Sequence, residues 1–228
     1  MNISLKTIIL SASLLWGGDV VAQTPRQWRD SLATLSKQIS QMPYSSDLYL
    51  KKAEANIELQ QWEYALETYN EILRHDPANP AALYYRAFVN GKLRRYDLSL
   101  DDYQHLLNLL PSHLEARLGL AYTLTKLGKR QDALDQYGLC IEQHRDSAVA
   151  YASRACLEEE LKQYDTALYD WDKALSLSLS PANNDYLFSK ANLLVKMERR
   201  EEARKCLMEL LRRGVARADL EELLRLCR

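Results

Sequence analysis

Residues 81–113 read AALYYRAFVNGKLRRYDLSLDDYQHLLNLLPSH, and residues 148–181 read AVAYASRACLEEELKQYDTALYDWDKALSLSLSP, with small and aromatic residues at matching places. The match extends beyond these stretches, because several columns recur every 34 residues. The small residues are Ala53, Ala87, Ala121 and Ala155 in one column and Ala65, Ser99, Ala133 and Ala167 in another. The aromatic residues are Tyr69, Tyr103, Tyr137 and Trp171, and the prolines are Pro43, Pro77 and Pro111. A fixed period of this size indicates a repeat protein.

Each column has a physical role in a pair of packed helices. Two helices approach closely only where their side chains are short, so the alanines predict the point where the helices cross. The aromatic residue follows the second small residue by four positions and is predicted to fill the space between neighbouring helix pairs. Proline cannot continue a helix, so its column marks the end of each second helix.

The repeating unit resembles the tetratricopeptide repeat (TPR), a helix-turn-helix motif whose copies stack into a solenoid. The resemblance implies an all-α fold, a right-handed TPR superhelix with a capping helix at each end. Five repeats are predicted to form one TPR domain over residues 46–217, at 46–79, 80–113, 114–147, 148–181 and 184–217. Residues 23–45 are predicted to form the N-terminal capping helix and residues 218–228 the C-terminal capping helix.

The fifth repeat is displaced by two residues. Its alanines, Ala191 and Ala203, lie 36 residues after the corresponding alanines of the fourth repeat. The displacement predicts an insertion in a turn around Ser180 to Asn184, where proline and paired asparagines favour a turn. Caps are predicted for the first helix at Thr24 to Gln27 and for the last helix at Asp219 to Glu222, from their polar residue pairs.

The first 22 residues follow the pattern of a secretory signal peptide. A positively charged start, MNISLK, precedes an apolar run from Thr7 to Trp16, and small residues follow up to Ala22. We predict cleavage near Ala22, which gives a periplasmic or secreted protein that begins at Gln23. The alternative is a membrane anchor, but the apolar run is short for a bilayer span and Asp19 follows it.

Composition and motifs favour a protein without a catalytic site. The formal net charge is −1, whereas a nucleic-acid-binding protein usually has a strongly basic face, so no nucleic-acid partner is predicted. The sequence has no motif typical of a metal site, a phosphate-binding loop or a catalytic nucleophile, so no cofactor, metal or enzyme activity is predicted. The four cysteines would allow three disulfide pairings in an oxidising compartment, but we predict buried or idle thiols at Cys140, Cys156, Cys206 and Cys227.

Arginine and aspartate occur together in the second and fourth repeats. Arg86 and Arg154 directly precede the crossing alanines, and an aspartate directly precedes the aromatic residue 16 positions later, as Asp102 and Asp170. The first and third repeats contain neither partner at these positions. This joint occurrence predicts a salt bridge between the two helices of one repeat. The alternative is an arginine that reaches for a ligand.

The resemblance also implies a partner-binding concave face, lined by the first helix of each repeat. Extending the register places aromatic and basic residues in the middle of that face, and we predict that they bind a protein or peptide partner. These residues are Tyr84, Tyr85, Phe88, Lys92, Leu118, Tyr122 and Lys126. The alternative is that the rings only pack against neighbouring first helices.

A further implication of the resemblance concerns the kind of partner. TPR domains that bind chaperone tails hold a C-terminal carboxylate with a clamp of lysines, asparagines and an arginine. Here the corresponding positions carry Leu50, Glu54, Tyr84, Phe88, Tyr85, Glu115 and Gly119. We therefore predict an exported, non-catalytic interaction module, a scaffold or assembly factor that does not bind heat-shock chaperone tails. The alternative is a self-associating structural subunit of an envelope complex, and the oligomeric state stays open.

Overall fold

The computed structural model describes residues 24–178 and 182–227, and within these ranges the chain forms twelve α-helices and no β-strand. The helices are α1 Pro25–Gln41, α2 Ser46–Glu58, α3 Trp62–His75, α4 Pro80–Lys92, α5 Tyr96–Leu109, α6 Leu114–Lys126, α7 Arg130–Gln143, α8 Ala148–Glu160, α9 Tyr164–Leu177, α10 Ala182–Lys196, α11 Arg200–Arg212 and α12 Arg217–Leu226. The predicted signal peptide lies outside the described residues, as do residues 179–181 of the predicted insertion. No helix in the described ranges is long and apolar enough to cross a membrane.

The start of α1 confirms the cap predicted from its sequence. The Thr24 hydroxyl accepts a hydrogen bond from the Gln27 backbone N–H, and the Gln27 side chain accepts one from the Thr24 N–H. These reciprocal bonds satisfy two backbone donors that a helix start otherwise leaves unpaired. The apolar face of α1 is half-buried, and this helix packs against α2.

The tight turns between paired helices each contain one residue in the left-handed conformation. These residues keep the repeat spacing and have φ angles between 57° and 76°: Gln60, Arg94, Gly128, Lys162 and Glu198. Glycine adopts this conformation without steric cost, whereas the other residue types pay about 1–2 kcal/mol each. Packing of the flanking helices therefore imposes the turn geometry on four residues that do not favour it.

The described helices belong to two compact units, one that ends at Lys129 and one that begins at Arg130. In the first unit, each of α1 to α5 packs against the next helix, and α4 also contacts α6. In the second unit, α8 packs against α7 and α9, and the last helix, α12, packs against α10 and α11.

The recurring residues form the core of each unit. Every recurring alanine has no exposed surface, and no recurring aromatic side chain exposes more than 5% of its surface. In the first unit these residues are Ala53, Ala65, Tyr69, Ala87, Tyr103 and Ala121, and in the second unit they are Ala133, Tyr137, Ala155, Ala167, Trp171, Ala191 and Ala203. The short side chains let the helices approach, and the rings fill the space beside them.

Both predicted salt bridges are confirmed. Arg86 Nε and Nη2 donate to the two Asp102 carboxylate oxygens at 2.9 and 2.6 Å. Arg154 Nε and Nη2 donate in the same way to Asp170 at 2.6 and 2.9 Å. Each pair joins the two helices of one repeat, and both aspartates are buried. A bidentate ion pair of this kind aligns the two helices, and loss of the arginine would leave a buried charge unpaired.

The predicted cap of the last helix is wrong. α12 begins at Arg217 after Ala216, no side chain caps it, and Asp219 lies within its first turn. An acidic residue there still interacts favourably with the helix dipole. The helix covers the apolar end of the second unit, since Leu220 and Cys227 are buried in a cluster with residues of α10 and α11.

The predicted turn residues Asn183 and Asn184 lie instead in α10, which begins at Ala182. The Asn183 side-chain amide donates to the carbonyl oxygens of Leu175 and Ser178, both at 3.1 Å. These carbonyls belong to the end of α9, where the helix can no longer supply them with donors. Asn183 therefore ties two helices together from a helical position.

Candidate partner-binding site

Four of the predicted partner-binding residues meet around one cavity in the first unit. Tyr84, Phe88 and Lys92 follow each other at four-residue spacing, which places them on one face of α4. The neighbouring helix α6 brings Tyr122 to the same cavity. Its volume is about 70 Å³, so it admits a single side chain of a partner.

The other residues that line the cavity belong to α4, α5 and α6. Some of them are apolar, and others are polar and form hydrogen bonds. Its residues are Ala87, Gly91, Ser99, Tyr103, Glu115, Gly119 and Thr123. The Thr123 hydroxyl donates to the Gly119 carbonyl at 2.8 Å, which leaves the Ser99 hydroxyl to donate to Thr123 at 3.1 Å. These buried bonds join α5 to α6 and satisfy the polar groups beneath the cavity.

Three predicted residues do not line this cavity. The Tyr85 ring stacks on Tyr69, with ring centroids 6.0 Å apart. Leu118 is buried, and Lys126 is exposed beside Tyr122. Phe88 does line the cavity but is also buried, so its ring contributes to packing as well as to the cavity wall.

Both lysines of the predicted site lie over aromatic rings. The Lys92 Nζ is 5.2 Å from the centroid of the Phe88 ring, and the Lys126 Nζ is 5.0 Å from that of Tyr122. Desolvation by partial burial lowers the pKa of Lys92. The ring faces attract the ammonium groups and hold positive charge at the carboxyl-terminal ends of α4 and α6.

Glu115 introduces a negative charge into the lining, next to a histidine that orders the start of α6. The His113 Nδ1 accepts a hydrogen bond from the Ala116 N–H at 3.3 Å and lies 3.3 Å from Glu115 Oε2. The His113 ring also stacks on Tyr84, with centroids 5.7 Å apart. Desolvation, followed by the charges of Tyr85 and Glu115, raises the pKa of Tyr84, so its hydroxyl stays protonated.

Gly119 is required by the close approach of Tyr103. A Cβ at this position would lie 2.4 Å from Tyr103 Cζ and 2.7 Å from its Oη, far inside normal contact distance. Sequence patterns identified Gly119 only as a position without a clamp residue, and they missed Ser99, Tyr103 and Thr123 as lining residues. A glycine inside a predicted helix was the available signal, because it often marks close backbone approach.

The charge at this surface changes sign between α2 and α4. Where α4 carries Phe88 and Lys92, the corresponding positions of α2 carry Glu54 and Glu58. Partial burial raises the pKa of Glu54, and the neighbouring charge of Glu58 raises it further. A partner segment along these helices therefore meets acidic residues at α2 and basic residues at α4 and α6.

The described residues offer no metal site or disulfide at this surface. No group of three or more histidine, cysteine, aspartate or glutamate side chains is arranged to hold a metal ion in the described part of the chain. The cysteines form no disulfide: Cys140, Cys156, Cys206 and Cys227. Burial raises the pKa of the Cys156 thiol to about 12, which disfavours the reactive thiolate.

Two segments of the sequence, residues 47–79 and 115–147, match the profile of the tetratricopeptide repeat. The chain contains tetratricopeptide repeats. Proteins built from TPRs are generally non-catalytic interaction modules, and the fold indicates protein partners. A comparison with curated protein sequences finds no match.

Solved structures with the same fold extend this result beyond the two matched segments. A TPR protein from Parabacteroides merdae is 22% identical, with 88% of this chain and 78% of that one covered and a TM-score of 0.66. PilF from Pseudomonas aeruginosa is 18% identical, with 82% and 84% covered and a TM-score of 0.68. YrrB, a TPR protein with an unusual peptide-binding site, is 19% identical, with 78% and 90% covered and a TM-score of 0.59. At these identities the similarity shows an all-helical TPR solenoid fold and leaves the ligand undefined.

Proposed function

We propose that this chain is an exported, non-catalytic TPR protein that binds a peptide or helix of a protein partner, as a scaffold or assembly factor. The observation that carries the proposal is the cavity between α4 and α6. There Tyr84, Phe88 and Tyr122 surround an unfilled space, and Lys92 lies at its edge. Two half-buried tyrosine rings and a buried phenylalanine ring around an unfilled space are suited to receive an apolar side chain of a partner.

The charged residues near the cavity indicate which residues flank the apolar side chain of the partner. Lys92 and Lys126 are both exposed, so they favour acidic residues on either side of the apolar side chain. Glu54 and Glu58 on α2 repel the same acidic residues, which favours one direction of binding over the other. The description of YrrB as a TPR protein with a peptide-binding site supports a peptide as the ligand of this fold.

The proposed role of the cavity is tested by replacing both of its half-buried tyrosines with alanine, in the variant Tyr84→Ala/Tyr122→Ala. Loss of these anchors is expected to weaken partner binding by about 30-fold, since truncating a hot spot costs about 2 kcal/mol or more. Crosslinking and pull-down from the envelope fraction measure the yield of each captured protein, and circular dichroism measures folding. The matched control is Tyr64→Ala, which removes an exposed tyrosine that does not line the cavity.

Unchanged capture by the folded double variant would contradict the proposal. If that variant unfolds, the rings are core residues. The variant Lys92→Glu/Lys126→Glu then tests whether this surface binds the partner, because both lysine side chains are exposed. The charge reversal is expected to abolish capture of an acidic partner. Lys173→Glu is its control, because the Lys173 Nζ also lies over a tyrosine ring, at 5.4 Å from the Tyr169 centroid.

Export predicts removal of residues 1–22. The charged start, the apolar run and the small residues before Gln23 support cleavage near Ala22. The intact mass of the exported protein is expected to correspond to a chain that begins at or near Gln23. A retained leader in the membrane fraction would contradict the proposal and favour a membrane anchor.

A self-associating structural subunit is the second candidate, favoured by large apolar side chains at the surface. In the first unit the exposed ones are Met42, Tyr44, Tyr64, Leu98, Leu109 and Leu110. A second copy would bury such side chains, whereas single exposed residues are common in monomers. Light scattering on the mature protein separates the candidates, because a monomer at micromolar concentration excludes the self-associating subunit.

A further inference from the structure

Buried polar atoms without a partner recur at one position of the repeat. Asn56 Nδ2, Asn90 Oδ1 and Glu158 Oε2 lack any hydrogen-bond partner, and all three residues are more than nine-tenths buried. Their spacings of 34 and 68 residues match the repeat, whereas the third repeat has Leu124 at this position. Each of the three lines a separate groove. Such atoms are rare in native proteins, so their recurrence points to groups that enter these grooves.

Glu158 differs from the two asparagines because it adds a charge. Its nearest cation, Arg154, is committed to Asp170 by two short bonds and is 3.8 Å from Glu158 Oε1 through Nε. The Thr166 hydroxyl also faces this carboxylate, but it donates its hydrogen to the Gln163 carbonyl at 3.0 Å. The Glu158 carboxylate therefore shares the Arg154 guanidinium with Asp170, and its Oε2 has no hydrogen-bond partner.

The groove over Glu158 is more open than its counterpart in the second repeat. There, Asn70 Oδ1 accepts a hydrogen bond from Arg86 Nη1 at 2.9 Å. The residue that corresponds to Asn70 beside the fourth repeat is Gly138 on α7, where an added Cβ would meet no atom within 4 Å. The groove volumes agree, at about 420 Å³ over Glu158 and about 240 Å³ in the second repeat.

The lining defines the charge and shape of an occupant. Three carboxylates, from Glu158, Asp165 and Asp170, and one guanidinium line the groove. The Lys173 Nζ lies over the Tyr169 ring, 5.4 Å from its centroid, and with this second cation the groove still has an excess of one negative charge. Tyr169 completes one wall, and 57% of its surface is exposed. A planar cation satisfies both features, since a guanidinium binds a carboxylate through its nitrogen atoms and stacks on an aromatic ring.

We propose that the groove over α8 and α9 binds an arginine side chain of a protein partner, with the guanidinium on the Glu158 carboxylate and against the Tyr169 ring. This site lies in the second unit and is independent of the cavity between α4 and α6. The matching groove of the second repeat is its natural control, because it has Asn90 in place of the carboxylate and Asn70 in place of Gly138.

Protonation of Glu158 makes this binding depend on pH. Desolvation, followed by the charge of Asp170, raises the pKa of Glu158 to about 7, against a smaller lowering by Arg154 and Thr166. Arg154 belongs to α8, and Asp170 and Thr166 belong to α9, which also brings Asp165 and, over the Tyr169 ring, Lys173 to this groove. Because ionised Glu158 falls from about nine-tenths at pH 8 to about one-tenth at pH 6, binding is expected to weaken about ten-fold over that range.

The test is an NMR titration of the ¹⁵N-labelled chain with the peptide acetyl-Gly-Arg-Gly-amide. Saturable shifts are expected at amides of α8 and α9 and not at α4 and α5. The peptide with uncharged citrulline in place of arginine is expected to cause none, and a lysine peptide should bind more weakly because its ammonium is not planar. Equal shifts from the citrulline peptide, or no saturable shift from the arginine peptide, would overturn the proposal.

Two variants separate the site from general effects. Glu158→Gln keeps the size of the side chain and is expected to weaken binding at pH 8 at least ten-fold and to remove the pH dependence. Gly138→Asn keeps Glu158 but introduces the side chain found at the corresponding position, Asn70, and is also expected to weaken binding. Full affinity in either folded variant would refute the site, and Gly138→Asn decides alone if Glu158→Gln does not fold.

Discussion

Replacing Arg154 with methionine is expected to lower the free energy of unfolding by about 3–5 kcal/mol at pH 8, because it leaves buried carboxylates without their cation. Asp170 has no exposed surface and receives two of its hydrogen bonds from Arg154. The same bonds raise the pKa of the guanidinium, which indicates that the pair stabilises the charged form. Urea unfolding followed by circular dichroism measures the loss.

The matched control is Arg86→Met, which leaves Asp102 unpaired but has neutral Asn90 where the fourth repeat has Glu158. A smaller loss of unfolding free energy is expected for Arg86→Met, because it leaves one buried carboxylate without a cation instead of two. Arg154→Met/Asp170→Leu should recover most of the stability, since an apolar pair of similar volume has no charge to desolvate. A loss below about 1 kcal/mol in Arg154→Met would show that the pair contributes little to folding.

Replacing Glu158 with glutamine is expected to stabilise the protein at pH 8 by up to about 3 kcal/mol. Burial raises the pKa of this carboxyl from 4.5 to about 7, and every tenfold change in its acid dissociation constant corresponds to about 1.4 kcal/mol. The folded protein holds this proton more tightly than the unfolded chain does. Wild-type stability from this group is therefore present at pH 4 and is lost as the pH rises from about 4.5 to 7.

The measurement is the difference in unfolding free energy between Glu158→Gln and the wild type from pH 4 to pH 8. The difference is expected to grow through that window and to level off above it. Asn90→Asp at the corresponding position is the inverse control, because it introduces a buried carboxylate and should destabilise with the same pH dependence. A difference that does not change with pH would mean that Glu158 has the same pKa in the folded and unfolded states.

Much of the helical core could be predicted from the repeat columns. The alanine and aromatic positions depend only on how closely two helices approach, and this requirement recurs with every repeat. The Arg86–Asp102 and Arg154–Asp170 pairs were predictable for the same reason, since both partners appear and vanish together. The site was less predictable, because periodicity assigns Tyr85 and Tyr122 to a face and does not show which ring has a stacking partner.

Predictions from the conformational preference of single residues were wrong where tertiary contacts outweighed that preference. Asn183 favours a turn by residue type, but its bonds to the end of α9 are available from the first turn of α10. The turn residues Gln60 and Lys162 adopt a left-handed conformation that no sequence preference indicates. Both features depend on where a neighbouring helix ends, which a single-residue preference does not contain.

The sequence by itself determined the helix pairs, the buried alanines and the partners of Arg86 and Arg154, because these follow from residue size and spacing repeated along the chain. Only the tertiary structure decided that Tyr84 and Tyr122 border an unfilled cavity while Tyr85 stacks on Tyr69. It also decided that Glu158 lies buried with no hydrogen-bond partner for its Oε2. Exposure and local dielectric depend on every neighbouring side chain at once, so residues at equivalent repeat positions can face different surroundings.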